Sequence, residues 1–141
     1  MTLDDRHALE DVRAGVSPCF LENLSFEFSN HETEQLVMKS AIPGSLEIRV
    51  LAVNGDILLF PGDAEPDESD AFVRNGYVFS VPWAVERICA LGRSGAFVFR
   101  SRGPLGVFKG RQYFEPKSCA DAVSFEARTD IEILSSWRPW V

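Results

Sequence analysis

Two histidines, three cysteines and 21 acidic side chains are the groups with which this 141-residue chain could do chemistry. His7 and His31 stand 24 positions apart in polar surroundings, and no H-x-H, H-E-x-x-H or C-x-x-C sets two metal ligands together. Neither a structural nor a catalytic zinc is therefore expected. Asp63, Glu65 and Asp67 alternate as calcium ligands do, yet Glu68 stands where an EF-hand loop needs Gly, Arg74 where it needs the bidentate Glu, and Pro66 interrupts the turn. That segment reads as an ordinary acidic loop. Ser94, in GRSGA, lacks the G-x-S-x-G frame of a nucleophile elbow. Cys19, Cys89 and Cys119 are odd in number and far apart in the chain, which argues against a disulfide scaffold and suits small core hydrophobes in a reducing compartment. Carboxylate pairs for sugar hydrolysis arise by chance among so many acids, because partners in a β fold are distant in sequence. No catalytic residue, metal or cofactor is assigned, and a protein that is not an enzyme is expected.

Charge points to contacts with protein. The formal net charge is -7, which disfavours a nucleic-acid partner, since such binding depends on Lys and Arg neutralising phosphates. RSGAFVFR at 93–100 matches an RNA-binding RNP1 pattern only in part: Ser94, Gly95 and Arg100 fill its glycine and aromatic positions. GPLGVFKG at 103–110 has no Walker lysine followed by Ser or Thr and reads as a glycine-rich turn. Residues 1–92 hold 6 basic and 16 acidic groups, whereas residues 93–117 hold 6 and 1. The acidic loop (Asp63, Glu65, Asp67, Glu68, Asp70) and the basic stretch (Arg100, Arg102, Lys109, Arg111, Lys117) are opposite in sign, as two surfaces that meet between subunits would be. Two solvated loops that never meet are the plainer reading. Phe108 and Tyr113 beside the cations add aromatic anchors of the kind interfaces use.

These residues need a scaffold, and its texture is β. The chain is 45% hydrophobic and 25% charged, and its 11 Phe, 3 Trp and 2 Tyr favour half-buried pleated surfaces over helix faces. Leu24, Phe26 and Phe28 alternate with Ser25 and Glu27, and Leu46, Ile48 and Val50 with Glu47 and Arg49, predicting two strands. Asn54-Gly55 between VLAV and DILLF predicts a tight hairpin, because a type I′ turn needs positive φ at both central positions. Asn75-Gly76 marks a second hairpin or the end of the acidic loop. The segments 77–81, 83–91, 96–100, 105–108, 112–115, 122–128 and 131–134 read as further short strands separated by Gly or Pro. One mainly β domain over 1–141 follows, an antiparallel β-sandwich or barrel.

Its two ends differ from the rest. Thr2 with Asp5, then Leu9, Val12 and Val16, predict a short helix over 3–14 stopped by Gly15 and Pro18; alternatively residues 1–18 are an arm that orders on a partner. At the other end, the tail 135–141 carries Trp137 and Trp140, rings too costly to leave in water. They pack on the chain's own domain or into a neighbour. No signal peptide or membrane-spanning stretch is read, so synthesis in the cytoplasm and no membrane partner are expected.

Asp56 to Phe60, the Pro61-Gly62 loop, Asn75-Gly76-Tyr77, Val81-Pro82-Trp83, Glu86 to Leu91, the Gly92-Arg93-Ser94-Gly95 turn and Ala96 to Arg100 follow one another in order. Through them, residues 56–102 resemble the small β-sandwich modules among accessory virion proteins of tailed bacteriophages. It implies a non-enzymatic protein that decorates or joins a capsid or tail in many copies. The expected function is thus a structural or assembly protein that self-associates or docks on a particle. A small acidic inhibitor or immunity-type protein covering a basic surface is the alternative. A third class, a carbohydrate-handling sandwich, requires exposed tryptophans beside carboxylates.

Overall fold

In the computed structural model, the alternating segment around Leu24 becomes β1 (Leu24–Asn30) and is followed by β2 (Glu34–Ser40), β3 (Glu47–Val53), β4 (Asp56–Pro61) and the two-residue β5 (Val78–Phe79). The structure describes residues 3–20, 24–30, 34–54, 56–61, 78–102, 108–117 and 131–141. The five strands form one antiparallel sheet in sequence order. The predicted hairpin is there: Val53 pairs with Asp56, and Asn54 takes a φ of 52°, the left-handed conformation the two-residue connection demands. The second Asn-Gly, the acidic loop and the segment 122–128 lie outside the described residues.

Helix α1 (Leu3–Phe20) lies on one face of this sheet. Its stripe of Leu9, Val12, Val16 and Phe20 is buried against Leu36, Met38, Ile48, Val50, Ile57 and Leu59. Arg6 sits 3.6 Å from the centre of the Phe28 ring and Arg13 5.6 Å from that of Phe26, so cations on the flank of α1 cover the β1 rings. The helix runs further than its expected stops. Gly15 is needed inside it, because a Cβ there would stand 2.7 Å from a Val85 methyl. Pro18 lies in the last turn on the exposed side, where its missing N–H removes a single hydrogen bond and the turn still closes.

The segment 83–91, expected as a strand, is instead the core of α2 (Val81–Ser94). Trp83, Val85 and Ile88 have the β-favouring types of a short strand, but the residues the fold buries are Ala84, Ile88, Cys89, Leu91 and Gly92, a helical stripe. Ser80 in extended conformation and Pro82 in the first turn start the helix, and Gly95 at φ 78° ends it. A Cβ on Gly95 would meet the Trp137 carbonyl oxygen at 2.5 Å, so glycine is required there twice over.

Beyond α2, β6 (Ala96–Arg102) is the centre of a three-stranded antiparallel sheet flanked by β7 (Phe108–Pro116) and β8 (Ile131–Trp137). The expected strands 105–108 and 112–115 are thus one strand as far as they are described. Among the described residues strands predominate, in two antiparallel sheets with two helices, and neither sheet closes on itself as a barrel would.

Candidate functional site

The basic residues singled out above are carried by paired strands. Arg100 and Arg102 belong to β6, and Phe108, Lys109 and Arg111 to β7. The register sets Arg100 opposite Gln112 and Arg102 opposite Phe108, with a bulge between the two arginines. Four basic residues therefore fall on the backbone of one end of a single two-stranded ribbon, within a chain whose net charge is -7. Lys117 follows directly after β7, its N–H donating to the Gly95 carbonyl at 3.0 Å, at the other end of the ribbon. Asp63, Glu65, Asp67, Glu68 and Asp70 lie outside the described residues.

Helix α2 holds this ribbon in place. Arg87 donates to the Phe114 carbonyl at 3.1 Å and pairs with the Glu115 carboxylate, both side chains being largely shielded from water. The pair sits where α2 packs on β7 and ties the helix to the ribbon. At the start of the same helix Trp83 is 66% exposed, the most exposed large apolar side chain among the described residues. The strand reading concealed this, because it gave no account of which side of the segment faces water.

The two tail tryptophans part company. Trp137, the last residue of β8, is half-buried and meets Phe114 edge-on with ring centres 6.0 Å apart. Trp140, expected as a candidate interface anchor, is not on the surface at all: its ring is fully buried, edge-on to Phe20 at 5.0 Å. The indole N–H donates to the Leu46 carbonyl at 2.6 Å, and the Trp140 backbone N–H donates to the Gly92 carbonyl at 2.7 Å. Arg138 joins the turn before β3 through two backbone hydrogen bonds, with Gly44 and Leu46. Docking of Trp140 in a neighbour is thereby replaced by packing in its own core.

Tertiary folding also assembles what sequence kept apart. Cys19, near the end of α1, and Cys89, in α2, lie with their sulfurs 3.1 Å apart. Cys89 is buried and Cys19 partly so. Burial pushes the Cys89 thiol up to about 12, and the hydrogen bond to Cys19 and the charge of Cys19 push the same way, against a smaller opposing pull from Arg93. Reading these cysteines as small core hydrophobes missed their contact, since residues 70 positions apart carry no spacing signal. Cys119 and His31 lie outside the described residues, and His7 is exposed on α1. Among the described residues no three His, Cys, Asp or Glu side chains are grouped to hold a metal ion. No helix among them is long and apolar enough to cross a membrane. Comparison with protein-family models, with curated proteins and with solved structures finds no match to this chain.

Proposed function

We propose that the protein is a non-enzymatic assembly protein that docks on another protein through the basic end of the β6–β7 ribbon, as an accessory component of a phage-like particle. The observation that carries this reading is the placement of Arg100, Arg102, Lys109 and Arg111 on two hydrogen-bonded strands anchored by α2, in an otherwise acidic chain. Basic residues carried on paired strands attract an acidic protein surface, and the strands' hydrogen bonding reduces the loop ordering that contact would otherwise require. Exposed Trp83 adds an aromatic anchor of the type that dominates interface energies.

Light scattering over a range of salt tests it. The expected result is self-association, or binding to capsid or tail proteins encoded beside it, that weakens as salt screens the charges. Arg102→Glu combined with Arg111→Glu should weaken assembly at least tenfold at low salt while leaving the thermal unfolding curve in place. A monomer at high concentration that binds no such protein overturns the reading. Binding instead to a basic toxin or nuclease, insensitive to the double charge reversal, would replace it with an inhibitor that works through its acidic residues.

A further inference from the structure

We propose that Cys19 and Cys89 are an oxidative modification site, at which hydrogen peroxide converts the contacting thiols into an intramolecular disulfide tying the last turn of α1 to α2. The sulfurs are 3.1 Å apart, about 1 Å more than a disulfide bond requires, so closure is a small local adjustment. The backbone can supply it on the α1 side. Pro18 has already removed one hydrogen bond from that last turn, so the backbone beside Cys19 carries one restraint fewer than a complete helical turn.

Access divides the roles between the two thiols. Cys19 is partly exposed and is where peroxide arrives; Cys89 is buried and touches it from within. In the first step the Cys19 sulfur attacks one peroxide oxygen, the O–O bond breaks, and Cys19 becomes a sulfenic acid with release of one water. In the second, the Cys89 sulfur attacks the sulfenyl sulfur, the S–S bond forms, the S–O bond breaks, and hydroxide leaves as water with the Cys89 proton. Two thiols have then lost two electrons and two protons, and peroxide has become two waters. Two of the three influences that keep the Cys89 thiol protonated come from the Cys19 thiol itself, and they change once Cys19 is oxidised. Buried contact also favours the disulfide over further oxidation, because the resolving thiol is nearer to the sulfenic acid than a second peroxide is.

The consequence lies in the helix layer. Cys19 adjoins Phe20, which packs on Trp140, so the new bond clamps the place where α1, α2 and the tail meet. A crosslink closing so long a loop restricts the unfolded chain and should raise Tm by on the order of 5–10 °C.

The full-length reduced chain treated with hydrogen peroxide, digested without reduction and analysed by mass spectrometry, reads this directly. The expected product is a Cys19–Cys89 linked peptide, two hydrogens lighter than its parts, with a higher Tm that dithiothreitol reverses. Cys89→Ala should leave Cys19 as a sulfenic acid that dimedone labels, with no rise in Tm on oxidation. Cys119→Ser should retain both the link and the rise. Sulfinic acid at Cys19 without a link, a dominant link through Cys119, or a Cys19–Cys89 link that lowers Tm or leaves it unchanged would each overturn the proposal.

Discussion

Trp140 brings together three parts of the chain with a single side chain: Phe20 of α1 at its ring edge, the Leu46 carbonyl at its indole nitrogen and Gly92 of α2 beneath it. Truncation to alanine leaves a cavity the size of the ring and removes the indole donor, so Trp140→Ala should destabilise the protein by about 3–5 kcal/mol in urea unfolding. Gly92→Ala strikes the same contact from the other side, since its Cβ would approach Trp140 Cε3 to 2.2 Å, and should also lower stability. Cys89 adds a pH dependence. Its thiol titrates near 9.0 when unfolded and is pushed up to about 12 by burial in the fold. The unfolded chain therefore releases this proton first, and the stability linked to it is whole below pH 9 and declines as pH rises from 9 towards 12. Thermal unfolding across that range should show the decline, and Cys89→Ala should flatten it.

Among the elements, α2 shows how a helix can be disguised. Its buried positions, 84, 88, 89, 91 and 92, follow helical spacing, but a short segment containing Trp, Val and Ile after a Pro reads locally as a strand. Burial settles the matter in favour of the helix, because Ile88 and Leu91 are both wholly enclosed while Trp83 is left to solvent. The start of this helix is under-capped: Ser80 has the extended conformation of an N-cap, but its hydroxyl makes no capping bond, and no acidic residue occupies the first turn. Ser80→Asp supplies both an acceptor and a negative charge at the positive end of the helix, and should raise stability by about 0.5–1 kcal/mol in a denaturant titration. β2 illustrates the opposite difficulty. Gln35, Leu36, Val37 and Met38 are all buried, so both faces of the strand are covered and no alternation of polar and apolar residues announces it.

For the molecule as a whole, the last four residues act as a clasp. Arg138 and Trp140 connect the end of β8 to the turn before β3 and to the end of α2, joining the second sheet to the first sheet and its helices. A chain ending at Trp137 should lose its near-ultraviolet circular dichroism and its cooperative unfolding while keeping part of its β signal. An unchanged unfolding curve would show that the two sheets hold together without the clasp. What could be read in the residues alone was whatever depends on near neighbours along the chain: the period-two faces of β1 and β3, the Asn54-Gly55 turn with its positive φ, the start of α1 and the basic character of β6 and β7. Those features are set by backbone sterics and by the alternation of side chains over a few residues. Packing decided the rest, because it joins residues that no short-range pattern connects. It chose helix over strand for 83–91, carried α1 past Gly15 and Pro18, drew Trp140 inward, and placed Cys19 against Cys89 across 70 positions.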